Sequence, residues 1–592
     1  QELFPQIVYN QHQIGPFPSR IFIPPYAEPL NPNIPASVME GINMIGTAMR
    51  ERLHRENKPG AVSYMGFDAW WNGGLRTVPA FHNMHGILTE TAGFGYATPH
   101  EYKASELPER FPTGIPTKFP TVFYPLPWQG GRWALRDVMD YMLTVDWALL
   151  NLAAERNQHF LTKAYDLARK NIDDKSFYGY IVSANQRDPH AASGMVDRLQ
   201  MAGIEVYRLN QTITHKFKTY PEGSYVLKAQ QAFRGYLVDL LEPQKYPELR
   251  SGQTGPTKRP YDLAGWTLNY QMGVEVDRLE SALPGEALLS KVDKVKLPEA
   301  TWNHADSSSF LKIASTLKQG TSVYWSAKGD MSTTQNGSAF KLKTPRVAVY
   351  EPHTANMDSG WTMWLLENFN IPYDAIKNDE IQRGNLKARY DSIILAQQPA
   401  ASIIHGTRPG ERNQRPEFTG GIGSKGVAAL EEFVKAGGTL LAFDTATQLP
   451  IANFDIGIRG LLTEPAARNE DVSPNAFYAP GSLIRINVDN TQPTAFGMAS
   501  EAYALTTGGQ AFEAIGTANM KVLSRYASKD LLASGWLSGE RLVLGKPIAA
   551  EARLGKGNVL LYGFRPQFRG QPYGTFKLVL NALYLASAEK LQ

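Results

Sequence analysis

Apolar positions form short runs near the start of the chain, helical periodicity before residue 172, and alternating strand and helix patterns beyond Arg346. Residues 6–10 read as a buried strand running into a polar loop, and residues 86–90 as a second buried strand. The Pro-rich stretch 16–35 between them is expected to be an ordered loop without regular structure. Ser37 then caps a helix to about Glu56, with Val38, Ile42, Ile45, Met49 and Leu53 on one face. Residues 66–74 form a Gly- and Trp-rich loop, and a helical region follows over 133–172 with a break near Asn157. Residues 179–182, 188–201 and 205–208 read as strand, helix and strand, and 210–340 as mostly β. From Arg346 the order is strand 346–350, helix 361–369, strand 392–396, helix 425–435 and strand 439–443, the signature of a doubly wound, mostly parallel sheet. A turn at 555–557, a strand to Tyr562 and a helix from Gly574 close the chain.

Composition narrows the function classes. A chain of 592 residues is expected to hold about three to five domains. A net charge of +4 at this length argues against a nucleic-acid binder. The absence of cysteine excludes disulfides, thiolate metal sites and a cysteine nucleophile. No apolar run is long enough to span a membrane. With Gln1 rather than methionine first, the chain is expected to be a processed or trimmed product.

Two residues stand where an α/β sheet binds ligands, at strand ends. His12 follows the first buried strand, where a neutral imidazole suits zinc; the alternative is a histidine hydrogen-bonded in a loop. Glu90 ends the second strand, where an apolar wall suits a general base acting on a metal-bound water; the alternative is an exposed strand-end carboxylate. His82 and His85 could join His12 in a three-histidine site if the segment were helical. Trp70, Trp71 and Phe81 are candidate pocket walls, and the Gly420–Gly423 loop before a helix is a candidate anion site. No phosphate-loop or dinucleotide fingerprint occurs.

Taken in order, residues 6–26 (QIVYNQHQIGPFPSRIFIPPY), 64–90 (YMGFDAWWNGGLRTVPAFHNMHGILTE) and 260–273 (PYDLAGWTLNYQMG) resemble large bacterial zinc carboxypeptidases, whose catalytic domain is carboxypeptidase A-like. The resemblance implies an α/β chain. Residues 1–110 would be the second half of the α/β/α catalytic domain, 111–174 a helical connection, and 175–345 a middle α/β and β-rich region. Residues 346–592 would be a flavodoxin-like, doubly wound domain similar to class I glutamine amidotransferases but without their nucleophile, and so a structural or binding module. Asn10-x-His12 matches the family's third zinc ligand, and Glu90 its general base.

The family also needs a His-x-x-Glu pair, yet none of the 11 histidines has a glutamate three positions on. The resemblance therefore implies that the remaining zinc ligands lie on a separate N-terminal fragment of the same precursor, packed non-covalently against this chain. The implied activity is metallopeptidase hydrolysis of a peptide substrate, in a secreted or periplasmic setting. Arg76, in a Gly-rich turn, is the expected grip on a substrate carboxylate, with a surface ion pair as the alternative; Trp70 and Trp71 complete the expected substrate-binding residues. The rival reading is a non-catalytic binding or scaffold protein on a decayed peptidase fold, and a third is a sugar-binding surface built on Trp70 and Trp71.

Overall fold

The computed structural model describes residues 3–13, 17–93, 95–250, 257–285, 288–335, 337–408, 410, 414–462, 476–516 and 520–591. It is a mixed α/β protein with several sheets.

The first sheet has four strands: β1 (Ile7–His12), β2 (Ile21–Phe22), β3 (Ala61–Val62) and β4 (His85–Thr91), in the order β1-β4-β2-β3. β1 runs parallel to β4, and β2 antiparallel to it. β4 is buried throughout, as its run of Ile87, Leu88 and Thr89 requires for a strand covered on both faces. Helix α1 (Ala36–Arg55) buries the five apolar residues that the sequence places on one face. It starts one residue before Ser37, with Pro35 at the cap position and no side-chain cap. The Pro-rich stretch is more regular than expected: besides β2 it holds a short strand, Ala27–Leu30, paired with Asp68–Ala69.

Helices α2 (Leu135–Glu155) and α3 (Asn157–Asp173) meet at the expected break. Val138, Tyr141, Val145, Leu149 and Phe160 share one core with α1 and β4, so this region packs on the first sheet. The outer stripe of α2 is apolar as well: Leu135, Met139, Leu143, Trp147 and Leu150 are all exposed. Asp146 lies within that stripe and accepts a hydrogen bond from Gln11 of β1. The stripe therefore runs beside β1, which is an edge strand paired, among the described residues, only with β4.

The middle region contains β5 (Gly179–Val182), α4 (Pro189–Met201), β6 (Tyr207–Leu209), β7 (Tyr225–Lys228), α5 (Leu268–Met272), β8 (Asp277–Leu279) and β9 (Leu289–Lys291). Its sheet order is β8-β5-β7-β6-β9, with every neighbouring pair antiparallel. The expected strand–helix–strand unit is β5-α4-β6, with β7 inserted between its two strands. Residues 210–340 carry more helix than expected, including Arg234–Leu241 and Ser308–Lys318, because Leu237, Phe310 and Ile313 are drawn into the large core shared with the C-terminal region.

The C-terminal sheet has ten strands. Its parallel half is β10 (Val347–Tyr350), β11 (Tyr373–Ile376), β12 (Ser392–Leu395), β13 (Thr439–Phe443) and β18 (Gly557–Tyr562). Its antiparallel half is β14 (Pro480–Val488), β15 (Glu501–Thr507), β16 (Met520–Tyr526) and β17 (Pro547–Leu554). The order β11-β10-β12-β13-β18-β17-β16-β14-β15 places β13 inside the sheet, and strand Leu532–Ser534 adds to β14. Helices α6 (Met357–Asn368), α7 (Gly423–Lys435) and α8 (Tyr573–Ser587) cover it. No helix among the described residues is long and apolar enough to cross a membrane.

Candidate functional site

The parallel pairing of β1 and β4 sets the site. Its register puts Tyr9 opposite Ile87, Gln11 opposite Thr89 and His12 opposite Glu90. Two residues 78 apart in sequence thus meet at the carboxyl ends of neighbouring strands, with His12 Nδ1 3.1 Å from Glu90 Oε1. The imidazole donates in the tautomer that carries its proton on Nδ1. The His12 side chain is 53% exposed and that of Glu90 only 6%. One partner therefore faces solvent while the other is held against the protein. On the opposite face of the same strands, Tyr9 and Thr89 share a 2.8 Å hydrogen bond, and burial pushes the Tyr9 phenol up to about 12.

Behind Glu90 lies a charged cluster. Arg76 donates from Nε to the Asp68 carbonyl at 2.7 Å, and its Nη2 is 3.5 Å from Asp68 Oδ1. Both side chains are nearly buried, so the ion pair is internal rather than the surface pair the sequence allowed. Burial lifts the Asp68 carboxyl to about 7, with Arg76 pulling the other way and the Asp262 charge adding to the rise. The Arg76 guanidinium lies 5.0 Å from the Tyr261 ring centre. Tyr261 is exposed, and its phenol is raised to about 12, chiefly by burial of the hydroxyl; Arg76 lowers it, and the charges of Asp262, Glu90 and Asp68 raise it further. Tyr261 lies in the 260–273 segment that carries the resemblance, but no sequence signal singles out it or Asp68 for this site.

Several expectations need correction. The His12–His82–His85 site does not form. His82 Nδ1 faces the Val78 carbonyl at 2.8 Å and its Nε2 the Ala202 carbonyl at 2.9 Å, so one of them receives the ring N–H and neither nitrogen points to His12, while His85 lies at the start of β4, opposite Ile7, with Nδ1 at the Gln6 carbonyl. At roughly 3.3 Å per residue, five residues of strand separate it from His12. Trp70 is not a pocket wall: it is buried, its Nε1 donates to the Ala264 carbonyl, and its ring packs edge-on to Tyr246. Trp71 packs against Trp266, with the Arg569 guanidinium 4.1 Å from its ring centre. Phe81 is buried in the first core. In the Gly420–Gly423 loop the Gly420 carbonyl accepts from Asn378, and a Cβ on Gly421 would meet the Ile403 carbonyl at 2.3 Å; the loop is closed by its own chain.

Catalytic zinc takes three protein ligands. His12 and Glu90 are two residues, and among the described residues no group of three or more His, Asp or Glu could hold a metal. The described residues do not by themselves fit zinc.

No family model and no curated protein matches the chain. Three of the solved structures it is similar to cover about two-fifths of it. A cytoplasmic protein from Salmonella typhimurium is 12% identical over 42% of this chain and 100% of its own, with a TM-score of 0.26. The β-galactosidase from Bacillus circulans sp. alkalophilus is 13% identical over 43% of this chain and 32% of its own, with a TM-score of 0.26. PurLQS from Thermotoga maritima is 14% identical over 40% of this chain and 98% of its own, with a TM-score of 0.26.

Proposed function

We propose that the chain contributes His12 and Glu90 to a zinc-dependent metallopeptidase of carboxypeptidase type, acting on peptide substrates in a secreted or periplasmic setting. The observation that carries this reading is the 3.1 Å contact between His12 and Glu90 at the carboxyl ends of two parallel strands, with the imidazole open to solvent. A carboxylate held there against the protein suits a general base, taking a proton from an attacking water and passing it to the leaving amine. Zinc held by His12 together with ligands from outside the described residues would supply the electrophile that such a reaction needs.

The missing ligands come, on this reading, from an N-terminal polypeptide of the same precursor. Two features support it: among the described residues β1 is an edge strand, and the apolar stripe of α2 runs alongside that edge. A strand added to β1 and a layer packed on Leu143 and Trp147 would bury both, which an unpartnered edge requires to avoid aggregation. Residues 1–110 are then the second half of a carboxypeptidase-like α/β/α domain. Residues 346–592 are a flavodoxin-like, amidotransferase-like module that lacks a nucleophile and serves binding or assembly.

The test is release of C-terminal amino acids from peptides by the chain together with its companion. Glu90→Gln should cut turnover by roughly 10²–10⁴-fold and leave zinc content unchanged. Loss of zinc from that variant would make Glu90 a ligand, and unchanged turnover would remove it from the chemistry. A second reading, a non-catalytic binding protein on a decayed peptidase fold, draws on the same contact: His12 and Glu90 already satisfy one another. It expects no hydrolysis from the assembled pair.

A further inference from the structure

A cleft of about 1270 Å³ opens between the middle sheet and the C-terminal sheet. It owes nothing to His12 or Glu90 and stands whether or not the peptidase reading does. Its size exceeds the roughly 300–1,000 Å³ of a site for one drug-sized molecule. Asn269 and Tyr270 of α5, Arg485 of β14, Tyr503 of β15 and Lys577 of α8 line it.

Three observations define the ligand chemistry. Tyr270 and Tyr503 stack face to face, with ring centres 4.3 Å apart and planes 8° from parallel. Arg485 donates from Nη1 to the Tyr503 hydroxyl at 3.0 Å and from Nε to the Asp530 carbonyl at 3.0 Å, which fixes the pair in place. Asn269 is only 5% exposed, yet its Oδ1 has no hydrogen-bond partner. A buried amide oxygen left unpaired in a cavity wall is an acceptor awaiting a donor. At the floor, Lys577 Nζ lies 2.6 Å from Asp188 Oδ2, and the same carboxylate accepts from Ser307. One of three ammonium donors is thereby spent, and the pair adds no net charge.

The lining carries charges of both signs, among them Arg187, Arg485 and Lys529 with Glu275, Asp277 and Glu501. Such a wall has no single-sign field to gather phosphate or a polycation, and it is too polar for a lipid. Interleaved donors and acceptors beside an aromatic platform suit hydroxyl groups, each of which both donates and accepts. We propose that this cleft binds a neutral oligosaccharide several sugar units long, with a pyranose face against the Tyr270–Tyr503 pair and a hydroxyl donating to Asn269 Oδ1.

Calorimetric titration of the full chain with maltohexaose, cellohexaose and chitohexaose tests this, with pentagalacturonate and ATP as anionic contrasts. At least one neutral hexasaccharide should bind, and hydrogen exchange should slow in segments 268–273 and 501–505 of the unsubstituted chain. Tyr270→Ala should weaken binding at least 10-fold and Asn269→Leu at least 5-fold. Phe217→Ala, at an exposed hairpin tip remote in sequence from these elements, should leave it unchanged. Binding of none of the three neutral sugars overturns the proposal. So does preference for an anion, or protection confined to other segments, an outcome readable even where a variant fails to fold.

Discussion

Glu90 and Asp444 both stand at the carboxyl end of a parallel strand, one at the end of β4 and the other just past β13. Both side chains are buried, but what surrounds them differs. Glu90 lies one strand from what is, among the described residues, the edge of its sheet, and its partner His12 reaches solvent. Asp444 lies inside the ten-stranded sheet, with β12 and β18 paired to either side of its strand. It sits at a φ of +49°, the left-handed region that a sharp strand-to-helix turn imposes. Its Oδ2 accepts from Thr507 at 3.2 Å, Thr507 also receives Arg565 Nη1 at 3.3 Å, and Arg565 pairs through two nitrogens with the buried Asp358. A strand-end carboxylate becomes a reagent only where a substrate can reach it. Glu90 is itself nearly buried, but its partner His12 stands in solvent beside it, whereas Asp444 is enclosed with an arginine and another acid.

The largest effect should come from breaking the sealed network. Arg565→Ala would leave Asp358 and Asp444 buried without their cation, a change that costs about 3–5 kcal/mol. Urea denaturation midpoints measure it. A loss below about 1 kcal/mol would mean that water reaches the network and that the two strand ends are less different than their burial implies.

Much of this contrast lies beyond a reading of one sequence. The strands β10, β12 and β13 are legible because short apolar runs follow turn residues at Pro345, Asp391 and Gly437-Gly438. β14 is not, since its residues follow a polar stretch with no periodicity to frame them. His12 and Glu90 are each visible as strand-end residues, but their contact depends on β1 pairing with β4, and a register is a property of two strands. Trp70 and Trp71 mislead because tryptophan suits a binding face and a packed junction equally well; only the contacts with Ala264 and Trp266 separate the two. The Asn269 acceptor leaves no trace in sequence, because nothing local distinguishes a satisfied asparagine from an unsatisfied one. The stripe on α2 is the reverse case: Leu135, Met139, Leu143, Trp147 and Leu150 follow helical spacing, which argues for burial, yet they are exposed.

The next effect is one of pH. Burial raises the Asp444 carboxyl to about 6, with Arg565 opposing the rise and Asp358 adding to it. A carboxyl whose folded pKa lies above its unfolded value near 3.8 costs nothing while both states are protonated. It destabilises the fold progressively as pH climbs from about 4 to about 6, and fully above that. At about 1.4 kcal/mol per unit, the cost approaches roughly 3 kcal/mol. Asp444→Asn should therefore raise stability at pH 8 by up to that amount and change little at pH 4. An equal gain at both pH values would mean that ionisation is not what the buried site resists. Asp68, lifted to about 7, has the same sign over a wider window.

The smallest effect on folding should belong to the residue with the largest proposed role in function. His12 is half exposed, and an ion pair or hydrogen bond to such a group contributes at most about 1 kcal/mol. β1 is held to β4 by its backbone ladder along the whole register Ile7–His85 to His12–Glu90, and that ladder survives removal of an imidazole. His12→Ala should thus shift the urea midpoint less than any variant of Arg565 or Asp444, while abolishing zinc retention in the assembly with the companion chain. The dissociation of the two readouts is the informative result. If His12→Ala unfolded the first sheet as Arg565→Ala should unfold the last, the imidazole would be a structural prop at a strand end. The solvent-facing contact between His12 and Glu90 would then have no chemistry assigned to it.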